Sequence, residues 1–285
     1  MIVVTGASGN LGGHVIASLL EKVPAAKIIA TVRNVEKAGD LAKLGIHLRQ
    51  ADYAKPATLA AAFAGAEKVL LISSNELGER VAQHQAVINA CVAANVKLLA
   101  YTSLLRADTS TLSLASDHLA TEQAIRSSGL PFVFLRNGWY QENHTEALGP
   151  ALQHGAILGA AGDGKFAAAT RADYAAAAAA VLSGQGHENK VYELVGDEAY
   201  TLSELAAEVS KTAGTAVAYQ NLPPAEYEKA LLGFGLPAPV AAMLADSDAG
   251  AAKGELESAS RDLRSLLGRS TTALAQSIRS AIQTK

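Results

Sequence analysis

The sequence predicts an α/β fold: a doubly wound parallel sheet followed by a smaller, mostly helical C-terminal lobe. Three observations carry this. From Met1 to Arg136 short β-branched runs alternate with longer alanine-rich segments, the pattern of βαβ units feeding a parallel sheet. The runs are apolar on successive residues, as strands covered by helices on both faces require. A glycine-rich turn, Thr5-Gly6-Ala7-Ser8-Gly9-Asn10-Leu11-Gly12, lies directly between the first run and the first alanine-rich segment.

Strands are expected at Ile2–Thr5, Lys27–Val32, Ile46–Gln50, Lys68–Ser73, Lys97–Ser103 and Phe132–Arg136. Helices are expected between them at Asn10–Lys22, Glu36–Lys43, Pro56–Phe63, Val81–Ala94 and Ser116–Ser127, with Pro56 suited to a first helical turn. After residue 137 the alternation loosens. Tyr174–Leu182 reads as a helix and Lys190–Val195 as a strand. Thr201-Leu-Ser-Glu204 reads as a capping box, in which the Thr hydroxyl and the Glu carboxylate satisfy free N–H groups reciprocally. Pro223, Pro224, Pro237 and Pro239 punctuate the rest.

The chain has 285 residues, 24 basic and 27 acidic, for a formal charge of −3. No basic cluster offers the field that holds nucleic acid by counterion release, so no nucleic-acid partner is expected. Cys91 is the single cysteine. That excludes an internal disulfide and a multi-cysteine metal site and suits a reducing compartment; on an alanine-rich helix the thiol reads as a small buried residue. The start, MIVVTGASGN, lacks the basic and apolar regions of a signal peptide, and no segment reaches the ~18 apolar residues of a membrane span. A cytoplasmic protein without a membrane span is expected.

In a dinucleotide fold the first glycine of such a turn permits the sharp change of direction and the second lets backbone approach the pyrophosphate. The third packs helix on sheet, and the helix N-terminus supplies N–H groups and dipole. Gly6, Gly9 and Gly12 fill these places, with a G-x-x-G-x-x-G spacing of the short-chain dehydrogenase and epimerase kind. The sheet is thus expected to be an NAD(P)-binding Rossmann fold. Residues 1–136 form the dinucleotide-binding core; residues 137–285 hold the remainder of the core, interleaved with a lobe covering the substrate near Met243 and Leu244.

An acidic residue about 20 positions beyond the turn would bind the NAD ribose, whereas an Arg pairs with the 2′-phosphate of NADP. Arg33 ends the second strand, and its planar fork of donors matches a phosphate. NADP(H) is therefore the expected cofactor; the other reading leaves Arg33 to solvent and gives the ribose to Glu36. Asp52 lies where adenine rests, or is an ordinary turn residue. Ser73, Ser74 and Asn75 close the fourth strand at the same edge.

Carbonyl-reducing short-chain dehydrogenases carry Tyr-x-x-x-Lys on the fifth helix. Here His118 stands in the tyrosine place and Glu122 in the lysine place. An imidazole can donate a proton near neutral pH, but a carboxylate cannot do the work of the Lys.

TGASGNLG, ATVRN, QADY, LLISS, AYTSLL, LRNGWYQEN, GAAGDGK, TRADYAAAAA and VYELVGD span nearly the whole chain. Together they resemble the NmrA-like, atypical short-chain dehydrogenases, and among them the bacterial NADPH-dependent quinone oxidoreductases of the second type, with triphenylmethane reductases close by. That family also lacks the Tyr and Lys pair. The resemblance implies that Gly6, Ala7, Ser8, Gly9, Asn10, Leu11, Arg33, Ser73, Ser74, Asn75, Arg171 and the segment Asn137, Gly138, Trp139, Tyr140, Gln141 and Glu142 surround NADP(H). The implied substrate is a small-molecule quinone, reduced by direct, flavin-free hydride transfer. A quinone accepts hydride readily and takes its proton from water, so holding the acceptor in place can suffice without an assigned acid. Trp139 and Tyr140 either stack on the acceptor or pack in the core, with Leu104, His118 and Asn143 nearby. A related NADP-binding sensor without turnover, or a reductase of cationic dyes, are the alternatives.

Overall fold

The computed structural model describes residues 1–76 and 78–283. In the first half strands alternate with helices: β1 (Ile2–Val4), α1 (Asn10–Leu20), β2 (Ile28–Val32), α2 (Gly39–Ala42), β3 (His47–Gln50), α3 (Ala57–Phe63), β4 (Lys68–Leu71), α4 (Arg80–Ala93), β5 (Leu98–Leu104), α5 (Ala115–Ser127) and β6 (Phe132–Asn137). The second half runs α6 (Glu142–Thr145), α7 (Leu148–His154), β7 (Ala156–Gly159), β8 (Lys165–Phe166), α8 (Arg171–Ser183) and β9 (Lys190–Leu194). It continues through β10 (Tyr200–Thr201), α9 (Leu202–Ala213), β11 (Ala218–Asn221), α10 (Pro224–Gly233), α11 (Ala238–Ala251), α12 (Asp262–Leu267) and α13 (Leu274–Gln283).

The described residues form a seven-stranded parallel sheet in the order β3-β2-β1-β4-β5-β6-β9. Val3 pairs with Ile29 on one side and Val69 on the other, all fully buried. Helices α1, α8 and α12 cover one face through Val15, Ile16, Leu19, Ala178, Leu182 and Leu263. Helices α3, α4 and α5 cover the other through Leu59, Phe63, Val87, Ile88, Cys91 and Ile125. Cys91 sits in that core, and burial pushes its thiol up to about 12, so it is the inert packing residue the sequence suggests. Among the described residues no helix is long and apolar enough to cross a membrane.

Three elements differ from the sequence expectation. Helix α2 has four residues rather than the span Glu36–Lys43, because Asn34 Oδ1 accepts the Lys37 N–H at 3.2 Å and holds the segment before it in turns. Strand β3 lies at the sheet edge and is half-exposed, so it is not covered on both faces. Helix α8 begins at Arg171, ahead of Tyr174, because Thr170 caps it by accepting the Asp173 N–H at 3.0 Å. The expected capping box at Thr201 and Glu204 is present.

The C-terminal lobe has its own core around Leu148, Phe166, Leu202, Leu205, Val209, Leu256 and Ile278. Charged struts fasten it to the sheet domain. The buried Asp173 carboxylate accepts from Arg269 at 2.8 Å and from the Thr272 N–H at 2.7 Å. The Arg106 guanidinium donates to the carbonyls of Gly254, Glu255 and Glu257.

Candidate active site

A cleft of about 800 Å³ runs along the carboxyl edge of the sheet, over the switch point between β1 and β4 where the strand order reverses. Its first end is made largely of backbone. Gly6 turns the chain out of β1 at φ +58°, a conformation that favours glycine. No side chain caps α1, whose first residues Asn10, Leu11 and Gly12 line the cleft, so its N-terminal amides and dipole face the opening. A Cβ on Gly12 would stand 2.3 Å from the Gly6 carbonyl oxygen and 2.7 Å from Ala7 Cα; only glycine lets the helix approach the turn this closely.

Thr31, Val32 and Arg33 from β2 and Asp52 and Tyr53 beyond β3 continue this end. The Arg33 side chain is 78% exposed and meets one carboxylate oxygen of Glu76 at 3.5 Å. Its guanidinium is open to a ligand phosphate. Glu36, the other ribose candidate, is not among the lining residues. Asp52 lines the cleft while its carboxylate accepts the Ala54 N–H at 3.0 Å, so the turn role and the lining role coexist.

The opposite end is built from side chains that hold one another. Thr102 Oγ1, in the lining, accepts the Ser73 N–H at 2.9 Å. Asn137 Nδ2 donates to the Tyr140 hydroxyl at 3.1 Å. Asn137 Oδ1 is buried with no partner among the described residues. Such an atom costs free energy unless a donor reaches it, which suits a ligand carrying a carboxamide N–H. The Trp139 indole N–H donates to His144 Nε2 at 3.2 Å, and His144 Nδ1 lies 2.9 Å from the Tyr200 hydroxyl. Burial pushes His144 down to about 4, which keeps it neutral and able to accept. Arg171 stands over the Tyr140 ring at 5.7 Å and pairs with Glu146. Val240 and Met243 on α11 complete the lining. That helix is tethered by the Ser113 N–H donating to Asp246 Oδ2 at 2.8 Å.

Of the residues expected around the cofactor, Gly6, Ser8, Gly9, Asn10, Leu11, Arg33, Ser73, Ser74, Asn75, Asn137, Gly138, Trp139, Tyr140 and Arg171 line this one cleft, as do Leu104, His118 and Asn143. Ala7, Gln141 and Glu142 do not, each for a visible reason. Ala7 is fully buried with its N–H given to the Thr31 carbonyl at 3.1 Å. The Gln141 carboxamide donates to the carbonyls of Ala168 and Thr272 and accepts from Ser277. The Glu142 carboxylate accepts the Arg171 N–H at 2.8 Å and so serves the start of α8. Leu244 is likewise outside the lining, one residue past Met243.

The tyrosine and lysine places resolve differently. His118 lines the cleft, and burial with Arg80 nearby pushes it down to about 3, so it is neutral and no reservoir of acid. Glu122 is buried and accepts from Arg136 Nε at 2.9 Å, Arg136 Nη2 at 2.8 Å and Ser103 Oγ at 2.6 Å. It is a structural ion-pair partner. Thr102, Ser103, Arg80, Gln83, Leu114 and Val240 line the cleft without having been singled out in the sequence. The rule that ligands sit beyond strand carboxyl ends, applied to β5, points to Thr102 and Ser103. Arg80 and Gln83 carry no local signal, being single polar residues at the start of a helix.

A doubly wound sheet with a glycine turn at its switch point, and a carboxylate where the fifth helix would carry lysine, defines an atypical short-chain dehydrogenase architecture. Residues 1–266 match the NmrA-like family, and the chain belongs to that family. It is 56% identical over 278 residues to Quinone oxidoreductase 2 of Escherichia coli, covering 98% of this chain and 97% of that protein. The crystal structure of an NADPH-dependent quinone oxidoreductase from Escherichia coli complexed with NADPH matches with a TM-score of 0.96 and 56% identity, over 99% of this chain and 100% of that one. Citrobacter sp. triphenylmethane reductase complexed with NADP(H) matches with a TM-score of 0.95 and 43% identity, over 99% of this chain and 100% of that one.

Proposed function

We propose that the chain is an NADPH-dependent reductase of quinones that works by direct hydride transfer without a flavin. The observation that carries this is one continuous cleft joining a phosphate-ready end, with free amides and Arg33, to an end walled by Trp139, Tyr140, Leu104, Val240 and Met243. NADPH, when bound, supplies the hydride. Arg33 would pair with the 2′-phosphate, the amides of Asn10 to Gly12 would hold the pyrophosphate, and Asn137 Oδ1 would take a carboxamide N–H. Residues 1–136 supply most of the cofactor contacts, and α11 of the later lobe covers the acceptor.

The residues of the aromatic end position the acceptor and exclude water. Trp139 is held by His144, and Tyr140 by Asn137 and Arg171, so a flat acceptor meets surfaces that are already fixed. A quinone gains an aromatic phenolate on reduction and takes its proton from solvent, so the loss of the Tyr and Lys pair is tolerable. A cationic triphenylmethane dye is a second acceptor class, supported by the likeness to the Citrobacter enzyme. The single buried thiol and the NADPH requirement suit the cytoplasm.

The test is NADPH consumption by flavin-free protein with 1,4-naphthoquinone. One hydroquinone formed per NADPH consumed is expected; tight NADPH binding without turnover on any quinone or dye would overturn the reading.

A further inference from the structure

Behind one wall of the cleft, two buried histidines are held by hydrogen bonds to neighbouring side chains, and one of them leaves a ring nitrogen with no partner among the described residues. The Ser74 N–H donates to His84 Nε2 at 2.9 Å. Burial and the neighbouring Arg80 push His84 down to about 3, so the ring is neutral and its one proton is on Nδ1. That proton goes to Thr121 Oγ1 at 2.9 Å. The Thr121 hydroxyl in turn donates to the Asp117 carbonyl at 2.9 Å. Tyr101 is fully buried and its phenol O–H needs an acceptor; His118 Nδ1 lies 2.7 Å from the phenol oxygen and accepts that hydrogen bond. His118 is neutral for the same reasons as His84, so with Nδ1 accepting, its proton is on Nε2. That nitrogen has no hydrogen-bond partner among the described residues, and His118 lines the cleft with Arg80 and Leu114.

We propose that His118 is a catalytic hydrogen-bond donor, its Nε2–H facing the carbonyl oxygen of the acceptor, and that Tyr101 is the positioning residue that fixes this tautomer. The proposal rests on the quinone-reductase reading. In that reaction a C–H bond of the dihydronicotinamide breaks and its hydrogen and two electrons pass to the quinone, leaving NADP+ and a hydroquinone monoanion. Water supplies the proton that completes the hydroquinone. His118 keeps its own proton, and its hydrogen bond strengthens as negative charge grows on the oxygen it faces. Acceptors with a carbonyl oxygen gain from this donor, and a triphenylmethane carbocation does not.

The experiment compares wild type, His118→Leu, His118→Gln and Tyr101→Phe with 1,4-naphthoquinone and with malachite green. In His118→Leu the kcat/KM for the quinone should fall about three- to tenfold, the worth of one neutral hydrogen bond, with the KM for NADPH unchanged. His118→Gln, whose amide keeps an N–H, should restore most of the rate, and dye reduction should change little. Tyr101→Phe should lower the quinone rate about twofold, because the ring is then free to hold its proton on either nitrogen. Trp139 is the single tryptophan and lines the cleft, so its fluorescence reads quinone binding in cofactor-free protein; the quinone Kd should weaken in His118→Leu and the dye Kd should not.

Equal losses on quinone and dye, or no loss on quinone, would overturn the assignment. If the leucine variant does not fold, an undiminished quinone rate in Tyr101→Phe overturns the tautomer lock. Failure of the reductase reading looks different: wild-type protein oxidises NADPH with neither acceptor, and the fluorescence comparison then decides His118 alone.

Discussion

The glycine-and-arginine end of the cleft and its aromatic end are made from different parts of the chain and by different forces. The first comes mainly from two short stretches, Gly6 to Gly12 and Thr31 to Arg33, and offers backbone amides and one exposed guanidinium. The second gathers Thr102, His118, Asn137, Trp139, Arg171 and Met243 from segments far apart in sequence. Most of its polar atoms are buried and tied to one another, apart from Asn137 Oδ1 and His118 Nε2, and three histidines in or behind its wall, His84, His118 and His144, are held neutral by burial. One end selects by charge and by a backbone shape that tolerates no added atom; the other selects by neutrality and fixed surfaces.

The sharpest way to break this contrast is Gly12→Ala set beside Gly13→Ala. At Gly12 the new Cβ meets backbone atoms that cannot yield, whereas at Gly13 it meets nothing within 4 Å. Gly12→Ala should weaken NADPH binding by more than about a thousandfold, ~4 kcal/mol, by calorimetric titration. Gly13→Ala should bind normally and gain up to about 1 kcal/mol of stability from helix propensity.

Next in size is Arg33→Ala. Losing charged hydrogen bonds to a phosphate of about 2 kcal/mol should raise the KM for NADPH about thirtyfold and leave that for NADH unchanged. Equal effects on both cofactors would remove the phosphate role.

The smallest effect concerns the cover of the aromatic end. Helix α11 carries Val240 and Met243 into the cleft and also the buried Asp248, which burial pushes up to about 6 although its Oδ2 accepts the Ala160 N–H at 2.7 Å. Because the folded protein favours the protonated form, this group stabilises fully below its ordinary value near 4, and that contribution is lost as pH rises through 6. Asp248→Asn should therefore be more stable than wild type at pH 7.5, and the gain should vanish by pH 4 in denaturant titrations. A constant difference across that range would mean that the carboxylate is not the cause.

How much was legible in the sequence follows the same division. The glycine turn and Arg33 lie at fixed spacings on one strand–turn–helix unit, so local pattern places them. Ser73 to Asn75 follow from the strand-end rule, as Thr102 and Ser103 do once it is applied to β5. Arg80, Gln83 and Val240 reach the cleft only because α4 and α11 pack where they do, which no local spacing encodes. Gln141 and Glu142 show the reverse: they sit within a motif that lines the cleft, yet their side chains turn to Thr272 and to the start of α8 because those backbone groups need partners. Glu122 falls in the lysine place of the fifth helix, but the buried Arg136 on β6 claims it, a pairing visible only in three dimensions.

The most direct test of the central claim is the initial rate of 1,4-naphthoquinone reduction at 340 nm, measured with NADPH and with NADH on wild-type protein. A kcat/KM for NADPH at least about tenfold above that for NADH is the expected result, since the exposed Arg33 fork is the phosphate reader and quinones need no protein acid. Equal rates with both cofactors, or no quinone-dependent rate with either, would contradict it.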